Sequence, residues 1–410
     1  MSNKFVYPNY KGVSLLNIPS TVLSLFGIPA PKITLKPEFY QNVMGVEKII
    51  LLLIDGLGWN LFNKEALKYQ FFDRLIKKGK LSQITSVFPA STTPAINTLN
   101  SGLSTQEHGL PEWYVYLEEL DCIVESLPFA PVLAKDQNKI LDQTREILLN
   151  QKTIYESLKE YEIPSFIFCP GGYSDSFYNK QANKGGNIIG YNNLADLLFL
   201  LKQKLKEIHG RAYFYVYWPD IDGAEHHFGP WSEEAVVEIA YLSEGLEREF
   251  VGKIDPGIAS KIGLLVTADH GLAEIDKGKV IYLDEINGLT IDFKISSNGN
   301  TLLPTGLPRN VYLNIKEKKL AATQQLLKQR LKGKAEVIKT KEAIKIGLFG
   351  DGPIHSQFLN RVGNLMILPY DNKAVWYRYD SKDVDLVGQH GGLSADEMLI
   401  PFISARLSDL

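Results

Sequence analysis

Three short motifs place oxygen and nitrogen donors directly behind apolar runs. Asp269-His270-Gly271 ends the run KIGLLVTA, Asp222-Gly-Ala-Glu-His226 follows RAYFYVYWPDI, and Asp55 follows the six aliphatic residues from Ile49 to Ile54. An ionised carboxylate in such a place is expensive without a partner. A carboxylate with an imidazole four residues on closes on one metal where the backbone turns. His390 stands in Gly-Gln-His-Gly-Gly, where the backbone must bend sharply or approach something closely. Taken singly, each feature has an ordinary structural role: a satisfied core Asp-His pair, a helix cap at Asp55, a surface histidine at 390.

The segment VFPASTTPAINTLNSGL (87–103) reads as a capped helix, with Thr93 at the N-cap, Pro94 first in the helix and Gly102 at its end. Thr92 then sits just ahead of a helix N-terminus, where free N–H groups and the macrodipole favour an anion. Alone, this is only a well-capped helix. Jointly, Asp55, Thr92, Asp222, His226, Asp269, His270 and His390 supply enough donors for two divalent metal ions. Only two cysteines are present, Cys122 and Cys169, too few for a thiolate site. A His/carboxylate donor set suits zinc best, with manganese as the alternative.

The elements that must hold these residues form a strand–motif–helix pattern. Segments 48–59, 211–222 and 261–271 each open with a short apolar run and close on acidic residues, as buried parallel strands delivering a carboxylate at their C-terminal ends do. Helical stretches near 193–208 and 232–250 lie between them. The fold class expected is α/β, a doubly wound, mostly parallel sheet flanked by helices, with ligands beyond the carboxyl ends of its strands. Residues 1–275 and 366–410 are assigned to this core, 110–150 to a loop-rich cap, and 276–365 to a small α+β lid-like insertion. Gly347–Gly352 reads as a turn, since it lacks the Lys-Ser/Thr of a phosphate-cradling loop.

Over 410 residues the apolar share is 45 % and the formal charge −3, so neither disorder nor attraction to nucleic acid polymers is expected. No apolar run approaches the roughly 20 residues of a membrane span. The N-terminal stretch is interrupted by Asn17, Pro19 and Ser20 before a secretory apolar region forms, and a cytoplasmic location is the expectation.

The order IDG, TTPAINTLNSG, HG, YWPDID-x₃-H-x₂-GP, TADHG, QHGG resembles the alkaline phosphatase superfamily, and within it the type I phosphodiesterase/nucleotide pyrophosphatase family. The motifs span residues 48–401. The resemblance implies one metal held by Asp55, Thr92, Asp269 and His270 and a second by Asp222, His226 and His390. It implies Thr92 as a nucleophile passing through a phospho-threonine, with Thr93 and Ser91 as lesser choices, and Asp220 and His227 as reserve ligands. The implied substrate is a small phosphate ester, a nucleotide being one such, in a phosphodiesterase or nucleotide pyrophosphatase reaction. Runner-up activities in the superfamily are phosphomonoesterase, phosphonate hydrolase and phosphomutase; an inactive phospho-ligand-binding protein is the alternative of another class. The chain departs from the family after His108-Gly109, where Leu-Pro-Glu-Trp-Tyr replaces a segment that usually carries a phosphoryl-holding Asn. Asn97 and Asn100 are substitutes to consider. Trp113, Tyr114 and Tyr116 either stack on an aromatic group or pack the cap. No Arg lies between Arg74 and Arg145, which leans toward diesters.

Overall fold

The computed structural model describes residues 4–136, 150–379 and 382–410; the part of the expected cap from 137 to 149 lies outside them. The run KIILLLI forms the strand Lys48–Ile54, buried along its whole length, as a strand covered on both faces must be. It is the middle of a seven-stranded sheet ordered Lys80–Thr85, Leu399–Arg406, Ile262–Thr267, Lys48–Ile54, Ala212–Trp218, Ser165–Pro170, Asn187–Tyr191. Leu399–Arg406 runs antiparallel to both its neighbours and the other pairings are parallel. The fold is therefore α/β with a mixed, mostly parallel central sheet.

Register brings the motifs to one edge. Ile54 is opposite Trp218 and Leu53 opposite Thr267, so Asp55, the 220–226 segment and Asp269 leave the sheet side by side. Thr85 lies opposite Leu399, so Lys80–Thr85 ends at the same edge and its continuation delivers Thr92. Because Leu399–Arg406 enters the sheet from that edge, the residues before it, His390 included, are there too. Switching one strand's direction thus adds a donor that a purely parallel sheet would place at the opposite end.

A second, antiparallel seven-stranded sheet is ordered Ala335–Lys339, Leu365–Pro369, Asn310–Leu313, Thr305–Leu307, Tyr114–Leu117, Cys122–Glu125, Ala130–Pro131. The 110–150 and 276–365 segments therefore share one sheet, joined at Gly306 opposite Tyr114. Its apolar face, with Val311, Leu313, Val337 and Ile367, makes its own core with Trp376 and Tyr379. The turn Gly347–Gly352 packs against the helix Thr105–His108: a Cβ on Gly350 would strike Ser104 and one on Gly352 would strike Glu107.

A buried polar tie joins the sheets at the site edge. Arg309, fully buried, donates to both oxygens of Glu397 at 2.9 and 2.7 Å, and Glu397 also accepts from the Gly392 N–H at 2.8 Å. The loop carrying His390 is in this way fastened to the second sheet by a bidentate pair, the strongest form of such contact. Among the described residues, no helix is long and apolar enough to cross a membrane.

Candidate metal centre and nucleophile

The helix carrying the nucleophile candidate spans Thr92–Ser101, with Ser91 at the N-cap and Gly102 closing it at φ 72°. Its start differs from the expected Pro94. Pro94 occupies the first turn, where its missing N–H is no loss because those groups have no partner inside the helix. Thr92 is thus the first helical residue, placed where the macrodipole favours negative charge on its hydroxyl. Its Oγ1 is 3.0 Å from His270 Nε2. The neighbouring hydroxyls are otherwise engaged: Ser91 Oγ donates to Glu112 Oε1 at 2.5 Å, and Thr93 Oγ1 shares a hydrogen bond with Ser126 Oγ at 3.0 Å.

All seven sequence-derived candidates lie at this edge. His270 Nε2 is 3.4 Å from both Asp55 Oδ1 and Asp269 Oδ2, and His226 Nε2 is 3.3 Å from Asp222 Oδ2. The His390 ring is centred 4.0 Å from that of His270 and 4.9 Å from that of His226. Donor atoms of Asp222, His226 and His390 lie within 4.8 Å of one another, as do those of Asp55, Asp222 and His270. Asp222 belongs to both groups, a sharing that spacing alone did not reveal. Asp220 and His227 are exposed and join neither group.

The orientation of the imidazoles is set from behind. His226 Nδ1 faces the Gly388 carbonyl at 2.8 Å and His270 Nδ1 the Gly271 carbonyl at 3.3 Å. A carbonyl only accepts, so Nδ1 carries the proton and the Nε2 lone pair points into the site, the arrangement of metal-ligating histidines. Tyr217, from the strand Ala212–Trp218, donates its hydroxyl to Asp55 Oδ2, leaving Oδ1 toward His270. Tyr217 was not marked as functional from sequence, because tyrosine in a strand reads as packing.

Burial raises the proton affinity of Asp55 well above the carboxylate range, with further increments from Asp269 and Asp222, and burial raises that of Asp269 as well. His390 is pushed well below the usual imidazole value by burial and by His270 and His226. Asp55 Oδ1, Asp222 Oδ1, Asp269 Oδ2 and His390 Nδ1 are buried without a hydrogen-bond partner. Among the described residues, no Lys or Arg pairs with these carboxylates. Bare donors and mutually repelling carboxylates in one buried place are what divalent cations satisfy, so the residues fit a metal centre.

Glu112 was missed from the sequence. It is fully buried and gathers Ser91 Oγ, the Trp113 N–H at 2.9 Å and Asn310 Nδ2 at 2.7 Å, while Asn310 Nδ2 also reaches the Gly391 carbonyl at 2.8 Å. One carboxyl therefore ties the residue before Thr92 to the residue after His390 through the second sheet. No local signal marks it, since Asn310 is 198 positions away. Burial pushes its carboxyl up to about 7. The folded state then binds a proton that the unfolded state releases, so Glu112 costs stability as pH rises from the ordinary glutamate value of 4.5 to about 7. Glu112→Gln should remove that loss. Denaturant titrations at about pH 5 and about pH 8 should show a smaller fall in unfolding free energy than in the parent chain. An unchanged fall would mean that Glu112 does not titrate there.

A cavity of about 520 Å³ opens beside Thr92, Asp55 and Asp222, walled by Ile96, Trp113, Leu127, Tyr173 and Tyr217 among others. Trp113 is thus at the site, whereas Tyr114 packs on Trp376 and Tyr379, and Tyr116 donates to Asp121. Asn97 is turned back to the Thr93 carbonyl at 2.7 Å, while Asn100 lines the cavity. His108 is buried and held neutral, its affinity lowered to about 3 by burial, a packing role.

The profile of the type I phosphodiesterase / nucleotide pyrophosphatase family matches residues 49–393. Human ectonucleotide pyrophosphatase/phosphodiesterase family member 5 is 23 % identical over 266 residues, 58 % of this chain and 48 % of that protein. Human bis(5′-adenosyl)-triphosphatase is 22 % identical over 245 residues, 58 % of this chain and 50 % of that protein. The match therefore spans about half the length of these curated relatives. Among solved structures, the murine ectonucleotide pyrophosphatase / phosphodiesterase 5, an inactive threonine-to-alanine variant in complex with AMP, superposes with a TM-score of 0.64 at 18 % identity, covering 88 % of each chain. Phosphonoacetate hydrolase from Sinorhizobium meliloti 1021 in complex with phosphonoacetate gives 0.60 at 16 % identity, covering 87 % of this chain and 89 % of that one. Both share the fold.

Proposed function

Since the chain belongs to the type I phosphodiesterase / nucleotide pyrophosphatase family of hydrolases, we propose that it cleaves phosphodiester or nucleotide pyrophosphate bonds through Thr92 at a centre of two divalent cations, zinc being the best match. The observation that carries this reading is a helix-initial threonine hydroxyl 3.0 Å from an imidazole nitrogen, beside bare carboxylate oxygens. Asp55, Thr92, Asp269 and His270 would hold one cation and Asp222, His226 and His390 the other, with Asp222 in reach of both groups. When bound, the cations supply the positive charge that makes an ionised threonine accessible and offsets charge developing on the phosphoryl and leaving oxygens.

The chain's own residues do the rest. The Thr92 helix directs its positive end at the attacking oxygen. Gly271 and Gly388 keep His270 and His226 turned so that their lone pairs face inward. Oγ1 of Thr92 forms a bond to phosphorus as the ester P–O bond breaks and the leaving oxygen departs with its electron pair. Water then attacks the phospho-threonine, and Thr92 leaves with the electrons of its own P–O bond. The AMP complex of one relative and the bis(5′-adenosyl)-triphosphatase name of another support a nucleotide-like substrate.

Diesters are favoured over monoesters because, among the described residues, neither Arg nor Lys lines the cavity, while its aromatic walls suit an organic ester group. The test compares bis-p-nitrophenyl phosphate, p-nitrophenyl phosphate and phosphonoacetate on zinc-loaded protein, with and without chelator. The diester should react fastest and the chelator should abolish turnover. A faster monoester or phosphonate reaction would move the substrate class, and turnover indifferent to chelator would remove the metal reading.

A further inference from the structure

One turn beyond Asp222 on the helix Asp220–Phe228, and directly before His226, stands Glu225. Residues three apart share a helix face, so its side chain leaves the helix beside that of Asp222. It runs inward under Gly56, the residue after Asp55: a Cβ on Gly56 would lie 2.6 Å from Glu225 Oε2 and 2.9 Å from the Asp222 Cα. The loop before His390 closes on the same residue from another side, where a Cβ on Gly388 would strike the Glu225 carbonyl oxygen. Glu225 is thus enclosed by the segments that carry the candidate ligands.

It is 1 % exposed, and neither carboxylate oxygen has a hydrogen-bond partner among the described residues. The charges that act on it are those of Asp222 and Asp269. Yet it belongs to neither group of candidate donors, so the fold does not place it as a ligand. A methionine would fill such a space at far less cost, because a carboxylate enclosed without donors is among the most expensive groups to bury. What this one can supply is charge.

The loaded centre needs it. Two divalent cations bring four positive charges, and Asp55, Asp222 and Asp269 offset three, so one positive charge is left while Thr92 keeps its proton. We propose that Glu225 is the fourth counter-charge of the centre, neither ligand nor catalytic residue, and that it brings the resting centre to neutrality. Negative charge behind the ligands strengthens cation binding, and a neutral centre loses the extra pull that a positive one exerts on a dianion over a monoanion. Glu225 therefore favours monoanionic diesters over dianionic monoesters and eases departure of the dianionic product. The inference rests on the two-cation reading of the site and adds a residue that sets its preference among phosphate esters.

The test compares the parent chain with Glu225→Gln, which keeps the shape and removes the charge. Zinc affinity, read by competition with a chromophoric chelator, should fall by at least about tenfold. Inorganic phosphate should bind the zinc-saturated variant about tenfold more tightly by calorimetry. The kcat/KM ratio of p-nitrophenyl phosphate to bis-p-nitrophenyl phosphate should rise by about the same factor. Glu225→Asp, which keeps the charge, should stay closer to the parent chain than Glu225→Gln in all three. A residue that only held the helix in shape would weaken cation and anion binding together. Zinc affinity that does not change, or phosphate binding that does not tighten, therefore overturns the proposal. Should Glu225→Gln not fold, Glu225→Met, which removes the charge and leaves no amide to satisfy, is read in the same way. A parent chain that binds no zinc removes the two-cation reading itself, and this proposal with it.

Discussion

Thr92→Ala is expected to abolish diester hydrolysis, by a factor on the order of 10⁴ or more, while the protein still folds. The substitution deletes one hydroxyl and one methyl from the first position of a helix, where alanine is an excellent helix former. The hydroxyl's partner, His270, keeps its backbone tie to Gly271, so the imidazole has no reason to swing. Acid-quenched protein incubated with substrate should carry a phosphoryl adduct on the peptide containing residue 92, and the variant should carry none. Thr92→Ser, which keeps the oxygen, should recover a measurable part of the rate. Turnover within about tenfold of the parent would move the nucleophile elsewhere. Ser91 is poorly placed for that because its hydroxyl is committed to Glu112, and Thr93 because it is tied to Ser126.

Why the central features could be read ahead of the structure follows from strand chemistry. A run such as KIILLLI has one stable environment, a sheet covered on both faces. The first polar residue after such a run must then emerge at the carboxyl edge, which is where ligands bind in open α/β sheets. Asp55, Asp269 and the 222–226 motif are legible on that ground alone. His390 was legible only through its glycines and the resemblance, because its position depends on one strand running backwards, and strand direction leaves no mark on a single segment.

The second sheet was largely hidden. Tyr114–Leu117 and Cys122–Glu125 are four residues each, too short for alternation to be counted, and the pairing of Tyr114 with Gly306 spans nearly two hundred positions. For the same reason Glu112 and Asn310 read as ordinary polar residues. Each gains meaning only when the fold places the other within 2.7 Å. Residues whose role is local were readable, and residues whose role is to join distant segments were not. Thr92 shows the limit from the other side, since its helix begins two residues before the expected Pro94. Proline at a helix start has no single allowed position, and the cap in use is Ser91, whose side chain is drawn away to Glu112 instead of bonding the helix backbone.

Asp222→Asn should disturb the centre more than any other single ligand change. Asp222 is the one residue in both candidate donor groups, so its loss weakens two cations together, whereas His390→Ala removes a donor from one. Metal analysis after equilibration with zinc and desalting should give about two ions per parent chain, one in His390→Ala, and less than one in Asp222→Asn. Stability should change in opposite directions with and without metal. In chelator, the variant removes one of the carboxylates that repel Asp55 and Asp269 while preserving side-chain size. Its melting temperature should therefore exceed that of the metal-free parent chain. In zinc the parent chain gains the binding free energy of its cations and the variant does not, so the order should reverse. That crossing separates a shared metal ligand from a merely structural aspartate, whose loss would lower both curves. Retention of two ions by Asp222→Asn would show that the two groups are independent, with Asp269 completing the first without help from Asp222.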